Sequence, residues 1–177
     1  MALTSYLPEP EDLSKSLNAS DISKILARHD GLFNWFKNFV VVPNLSHSLL
    51  TWEADLVACT KSGYLSEVEI KVSASDWKND HLKSKWRPTR DGGRPLGWRL
   101  IKNFYYAAPV KLAKRYQEFE IPDYAGIIAV SRTDHGSYIA DSLEFLRPAK
   151  AIPGHRKLTD KEMTLLARMG AMRIWKQ

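Results

Sequence analysis

Two acidic residues occur at spacings that would bring their side chains together on a β-hairpin. Residues 52–60 and 65–73 have the composition of strands, and residues 61–63, Lys-Ser-Gly, have that of a short turn. Pairing around this turn places Asp55 roughly opposite Glu69. Two carboxylates in that position repel each other unless a cation lies between them. Hard oxygen ligands at a partly open site suit Mg²⁺ or Mn²⁺.

A lysine accompanies the second carboxylate. Lys71 lies two residues after Glu69, so the two side chains share a strand face, which we expect to border a cleft or solvent. Its ammonium could orient a nucleophilic water and offset charge developing on a phosphate, as phosphodiester hydrolysis requires. A surface hairpin with an ordinary cross-strand Lys–Glu pair is the alternative. The opposite face is expected to point toward a core, through Val68, Ile70 and Val72.

Two further acids, Glu53 and Glu67, fall on the same two predicted strands. Either could serve as an auxiliary group for a metal, and a solvated strand face explains them equally well. The five histidines have no paired spacing, and the single Cys59 has no Cys or His neighbour at zinc-site spacing. The carboxylates therefore remain the candidate metal ligands.

Residues 76–102 combine many basic side chains with tryptophans. Such a segment can neutralise phosphates and stack on exposed or distorted bases, which favours DNA binding. The alternative is a solvated helix with Trp77 in the core. The candidate DNA-binding residues are Lys78, Lys83, Lys85, Arg87, Arg90, Arg94, Arg99, Lys102 and Trp86.

The remaining chain predicts alternating helices and strands. Ser20 or Asp21 could cap a first helix carrying Ile22, Ile25 and Leu26, with Gly31 closing it and a further helical turn over residues 32–36. Ser73 and Asp76 predict a helix starting near Ala74, and Thr159 and Glu162 form a capping box. Further strands are predicted at residues 39–42, 104–108, 124–131 and 136–146, with a helix at 110–116.

These elements indicate an α/β fold, a mixed central sheet flanked by helices in three layers. We expect a single domain over residues 1–177, with a loose lead-in at 1–18 and a C-terminal helix at 157–177.

The net charge and the hydropathy of the chain indicate which kind of partner it binds and in which cellular compartment we expect it. The net charge is +6 and the sequence pI is near 9.4, which favours polyanions such as DNA, although mild basicity also occurs without any such partner. There is no signal peptide pattern, and no apolar run approaches the ~20 residues that a membrane span needs. We therefore expect a cytoplasmic protein that does not bind membranes. The sequence is compatible with a homodimer and does not determine the oligomeric state.

The central motif resembles a known signature. Asp55, a short hairpin and then Glu69-Ile70-Lys71 resemble the D…(D/E)-x-K signature of the PD-(D/E)XK nuclease superfamily. The run from Val68 to Ser73 followed by Asp76, the aromatic segment 104–107 and the later segment 122–130 resemble its MmcB-like DNA-repair branch. The resemblance covers about residues 50 to 150.

The resemblance implies a restriction-endonuclease-like fold and a Mg²⁺-dependent endodeoxyribonuclease. It implies that Asp55, Glu69 and the Ile70 carbonyl bind the metal and that Lys71 positions or activates water. The products would carry 5′-phosphate and 3′-hydroxyl ends, in repair, recombination or a mobile element. The superfamily often has another acid on its first helix, whereas residues 22–36 hold only Asp30. A noncatalytic DNA-binding module that keeps the fold is the alternative.

Overall fold

Strands rich in β-branched and aromatic residues build one mixed sheet. The computed structural model describes residues 9–28, 38–45, 49–90, 92–93 and 95–174. In that part of the chain the strands are β1 (Glu11–Asp12), β2 (Asn38–Leu45), β3 (Ala54–Thr60), β4 (Leu65–Ile70), β5 (Ile101–Pro109), β6 (Gly126–Asp134) and β7 (Ile139–Arg147). The helices are α1 (Ala19–Arg28), α2 (Ala74–Lys78), α3 (Val110–Ala113) and α4 (Asp160–Ile174).

The sheet combines antiparallel and parallel pairs. Its strand order is β2-β3-β4-β5-β6-β1, and β7 also pairs with β6. The pairs β4–β5 and β5–β6 are parallel, and the other pairs are antiparallel. The predicted α/β class with a mixed sheet and helices is thereby confirmed.

The hairpin of β3 and β4 has the predicted pairing. Leu56 pairs with Val68 and Val57 with Glu67, so the same register continued by one residue places Asp55 opposite Glu69. Gly63 closes the turn with a φ of 85°, a left-handed conformation that glycine adopts without a steric cost.

Apolar side chains cover both faces of the sheet. On one face, Ile22 and Leu26 of α1 pack with Leu56 and Val68. On the other face, Trp77 of α2 and Leu166 of α4 belong to a second cluster, with Val57, Leu65 and Phe104 from the strands. The carboxylates of the hairpin lie on this second face, so their surroundings depend on the segments that cover it.

The helix caps agree with the sequence in two of three cases. The Asp76 amide donates to Ser73 Oγ over 3.1 Å at the start of α2. Before α4, the Thr159 amide donates to Glu162 Oε2 over 2.8 Å, so this capping box is confirmed. For α1 the prediction of Ser20 or Asp21 as cap is wrong, because Asn18 Oδ1 accepts from the Asp21 amide over 2.9 Å.

The helix predicted to start near Ala74 is short. The helix α2 ends at Lys78, and 3₁₀ turns follow at Asp80–Leu82, Ser84–Trp86 and Leu96–Leu100. The backbone at Lys83 is extended, with φ −64° and ψ 146°, so it separates the first two turns. These turns bring the segment back over the strand face that carries the carboxylates.

Other element boundaries differ from the sequence prediction by a few residues, as is usual at frayed ends. The predicted helix 110–116 is shortened to α3. The strand predicted to end at Ser73 ends at Ile70, and Val72, predicted to face the core, has 43% of its surface exposed. That prediction is wrong because the chain leaves the sheet there.

Some predictions fall on residues outside the described ranges: Gly31, residues 32–36, Asp30 and Arg94. Part of the predicted lead-in forms β1, where Glu11 pairs with Asp134 of β6. The described helices include none with the length and apolarity required to span a bilayer.

Candidate active site

The polar face of β4 is buried. Glu67, Glu69 and Lys71 each have 0% of their surface exposed. The prediction that this face borders a cleft or solvent is wrong, because residues 76–86 fold over it. Burial of this many charges requires that each has partners of opposite charge or hydrogen bonds.

Glu69 is surrounded by three ammonium groups. Its Oε1 lies 3.1 Å from Lys71 Nζ and also accepts from Lys83. Its Oε2 lies 2.5 Å from Lys85 Nζ. Burial disfavours the charged carboxylate, but Lys85, Lys71 and Lys83 outweigh burial and lower the pKa of Glu69 to about 2. Glu69 is therefore an anion at every physiological pH.

Asp80 is the second acidic centre of the network and is not among the site residues predicted from the sequence. Its Oδ1 lies 2.6 Å from Lys71 Nζ, and its Oδ2 accepts hydrogen bonds from Tyr106 Oη over 2.5 Å and Trp86 Nε1 over 2.9 Å. Burial lowers the pKa of Lys71, but Glu69 and Asp80 outweigh burial, so that this pKa lies above its usual range. Asp80 thus holds the ammonium of Lys71 beside Glu69.

Glu67 is bound from two sides. Trp52 Nε1 lies 3.1 Å from each of its carboxylate oxygens, and Lys85 Nζ lies 3.1 Å from Oε1. Burial raises the pKa of Glu67 despite the attraction of Lys85. Trp98 Nε1 donates to the Lys85 carbonyl over 2.8 Å and so fixes the backbone of that lysine. The contacts make Glu67 a support for Lys85.

Asp55 lies at the opening of the network. Its Oδ2 accepts a hydrogen bond from the Ile70 amide over 2.8 Å. Burial, and then the nearby charge of Glu69, raise the pKa of Asp55 to about 6. Asp55 lines a cavity of about 290 Å³, together with Trp52, Glu53, Lys83, Ser84 and Lys85. Ligands can therefore reach Asp55 from this cavity, whereas Glu69 lies behind Lys83 and Lys85 and does not line it.

Two more cavities flank Trp86. One, of about 290 Å³, reaches Asp80 and Tyr106. The other, of about 450 Å³, is walled by the aromatic rings of Trp86, Trp98 and Tyr124, with Arg87 at its side. The centroids of the Trp86 and Trp98 rings are 5.2 Å apart. Flat aromatic ligands would find stacking surfaces in the larger cavity.

The predicted DNA-binding residues occupy different environments. Lys78, Arg87, Arg90 and Arg99 are exposed, and Trp86 is half-buried. Lys102 is half-buried, with its ammonium 4.0 Å from the centre of the Tyr64 ring. Lys85 is 1% exposed and binds Glu67 and Glu69, so its charge is used inside the protein rather than at the surface.

The carboxylate pair provides the type of donor that a hard cation requires. Asp55 and Glu69 face each other across the hairpin, and the Ile70 peptide lies beside Asp55. Two carboxylates suit Mg²⁺, which keeps several waters and uses few protein ligands. Across the described ranges, the structure contains no cluster of three or more His, Cys, Asp or Glu that could hold a metal ion.

The chain was compared with known proteins. No family model matches it, and no curated protein matches it. It is similar to the solved structure of SPO1766 from Silicibacter pomeroyi, a protein of unknown function. The TM-score is 0.53 with 16% sequence identity, over 90% of this chain and 88% of that chain. At this identity the likeness extends to the fold alone.

Proposed function

We propose that this protein is a Mg²⁺-dependent endodeoxyribonuclease with a restriction-endonuclease-like fold. The observation that carries the proposal is the opposition of Asp55 and Glu69 across the β3–β4 hairpin. Asp55 lines a cavity, and the Lys71 ammonium lies 3.1 Å from Glu69. Paired carboxylates beside a fixed lysine suit phosphodiester hydrolysis. The D…E-x-K spacing of these residues, which resembles the nuclease superfamily, agrees with this reading.

Asp55, Glu69 and the Ile70 carbonyl would hold the metal ion. When bound, Mg²⁺ would polarise the scissile phosphate and make a water more acidic. Lys71 would orient that water or offset charge on the phosphate. Its ammonium is held 2.6 Å from Asp80 Oδ1. Because Asp80 also accepts from Tyr106 and Trp86, it keeps Lys71 in one position and limits the reorganisation needed during the reaction.

DNA would be bound by the exposed cations Lys78, Arg87, Arg90 and Arg99. Their charges would contact phosphates and set the register of the strand. The cavity walled by Trp86, Trp98 and Tyr124 would accept an unstacked base, since ring stacking is independent of base identity. This arrangement favours single-stranded or distorted DNA over a regular duplex.

A noncatalytic DNA-binding module is the second candidate. The specific observation in its favour is that Glu69 is already neutralised by Lys71, Lys83 and Lys85. A satisfied ion network of this kind can stabilise a fold without binding any metal. The two candidates differ in whether metal and cleavage accompany DNA binding.

Cleavage assays separate the candidates. Plasmid, single-stranded and branched DNA are incubated with Mg²⁺ or Mn²⁺ and native protein, Glu69→Gln or Lys71→Met. Glu144→Gln, an exposed acid on β7, is the control. We expect cleavage by the native protein and the control only, with equal DNA binding by all folded variants. Binding without cleavage by any of the four proteins would identify the noncatalytic module.

A further inference from the structure

The three lysines around Glu69 are held with unequal firmness. Lys71 is fully buried and also lies 2.6 Å from Asp80. Lys85 is 1% exposed, lies 3.1 Å from Glu67 and has its ammonium 4.6 Å from the centre of the Phe104 ring. Each of these two ammoniums has a second buried acidic partner besides Glu69. If either ammonium moved to solvent, that buried carboxylate would be left unpaired.

Lys83 is different because its side chain is 39% exposed. Its ammonium contacts Glu69 Oε1, and its second acidic neighbour, Asp80 Oδ1, is 3.8 Å away. Lys83 also lines the cavity that contains Asp55. A lysine ammonium at the end of a flexible four-carbon stem can turn to solvent without movement of the backbone. Of the three ammonium groups, this one is poised to exchange.

The formal charges of the network indicate what can replace it. Five carboxylates, on Asp55, Glu67, Glu69, Asp76 and Asp80, surround the three ammoniums, and Asp76 Oδ1 lies 3.6 Å from Lys71 Nζ. The acids outnumber the lysines, and departure of Lys83 removes one more positive charge. One divalent cation replaces that charge and adds a second, so it reduces the negative excess. A buried group of carboxylates requires such a counter-charge.

We propose that Lys83 occupies the cation position at Glu69, beside the cavity lined by Asp55, and that a divalent metal takes this position when a DNA phosphate attracts the Lys83 ammonium. Metal binding and DNA binding are then positively coupled through one side chain. Without DNA, Lys83 closes the carboxylate pair to metal. The inference rests on the proposed nuclease function and adds to it a residue that makes metal loading depend on substrate.

The coupling is reciprocal, because DNA must raise metal affinity by the same factor by which metal raises DNA affinity. Removing the Lys83 charge has two effects. The metal no longer competes with an ammonium for the carboxylates, and the DNA phosphate no longer has that ammonium to attract. The Lys83→Gln variant should therefore bind metal more tightly on its own and respond less to DNA. Lys114→Gln removes an exposed lysine outside the proposed DNA-binding set and serves as the matched control.

The test measures the Ca²⁺ dissociation constant by calorimetry, with and without a saturating oligonucleotide. Ca²⁺ is a hard cation that prefers the same oxygen ligands. The titration of DNA alone is subtracted, and the DNA is checked for integrity afterwards. We expect Lys83→Gln to bind Ca²⁺ about tenfold more tightly than native protein without DNA, within the usual range of coupling energies. DNA should tighten Ca²⁺ binding by native protein and by Lys114→Gln, but should change Ca²⁺ binding by Lys83→Gln little.

Unchanged or weaker Ca²⁺ binding by folded Lys83→Gln would overturn the inference, and so would an equal effect of DNA on native and variant protein. If native protein cuts DNA in Mg²⁺ and either of these results is obtained, the nuclease function stands and the role of Lys83 falls. If no form binds Ca²⁺ and none cuts DNA, the inference and the proposed function fall together.

Discussion

At the residue scale, the two facing carboxylates differ in ionisation although they are chemically similar. Glu69 has three ammonium neighbours and a pKa of about 2, whereas Asp55 is desolvated beside that anion and has a pKa of about 6. The environment thus separates two acids that have nearly equal pKa values in water. This separation gives each carboxylate its own measurable effect on stability.

Asp55 should make the metal-free protein less stable as the pH rises. The unfolded chain loses the Asp55 proton near pH 3.8, but the folded protein keeps it until about pH 6, so stability falls over that range. The variant Asp55→Asn has no such proton. We subtract the free energy of unfolding of native protein from that of this variant. We expect this difference to rise by about 2–3 kcal/mol between pH 4 and pH 7. Urea titrations in EDTA measure the difference, and a constant difference would show that Asp55 is well hydrated.

Glu69→Gln should destabilise the fold. It leaves the buried ammoniums of Lys71 and Lys85 without their shared anion, and breaking a buried pair costs about 3 kcal/mol or more. Urea unfolding at pH 7 provides the measurement. Glu118→Gln, in an exposed pair with Arg115, is the control and should leave the unfolding midpoint unchanged. Equal midpoints for native protein and Glu69→Gln would mean that the network contributes nothing to stability.

At the element scale, the 3₁₀ turn Ser84–Trp86 connects the ion network to the aromatic cavity. Trp86 donates to Asp80 and also lines that cavity. Trp86→Phe and Trp86→Leu both lose the hydrogen bond, but only the leucine variant loses the ring. We therefore expect Trp86→Leu to bind single-stranded DNA about tenfold more weakly than Trp86→Phe. Fluorescence anisotropy with a labelled oligonucleotide measures this, and equal affinities would exclude stacking on Trp86.

Gly97 lies in the 3₁₀ turn Leu96–Leu100, and a substitution at this position measures how closely that turn packs against the ion network. A Cβ at this position would lie 2.7 Å from Trp52 Cζ3, and Trp52 donates to both oxygens of Glu67. Gly97→Ala should destabilise the protein by about 1–3 kcal/mol, since the indole ring must shift in a packed core. Thermal unfolding provides the measurement. An unchanged melting temperature would show that Trp52 is free to move.

The sequence predicts local elements of this protein well and the covering segment poorly. The alternation in β3 and β4 and the Gly63 turn are sufficient to set the register that opposes Asp55 and Glu69. Burial of that face depends on 3₁₀ turns at residues 80–86, which are too short to leave a hydrophobic period in the sequence. Asp80 and Lys85 were therefore not recognised as partners of the network. The acid at position 80, four residues after Asp76, was the available signal.

At the scale of the whole molecule, the net charge of +6 predicts affinity for DNA that depends on salt. The buried lysines contribute little to this effect, since their charges are balanced inside the protein. Arg87 is exposed at the side of the aromatic cavity. Arg87→Gln should reduce the slope of log affinity against log salt by about 1. An unchanged slope in binding titrations from low to moderate salt would show that Arg87 contacts no phosphate.

The position of the ion network in the chain has a consequence for the order of folding. Lys71 and Asp80 are nine residues apart, and Glu67 and Lys85 are eighteen residues apart. Glu67 lies on β4, and the other three residues come within fifteen residues after that strand ends. Closing such short loops costs little entropy compared with docking the distant strands β1 and β6. We therefore expect the amides of β3 and β4 to acquire hydrogen-exchange protection early, so that the carboxylate pair is assembled before the far side of the sheet closes.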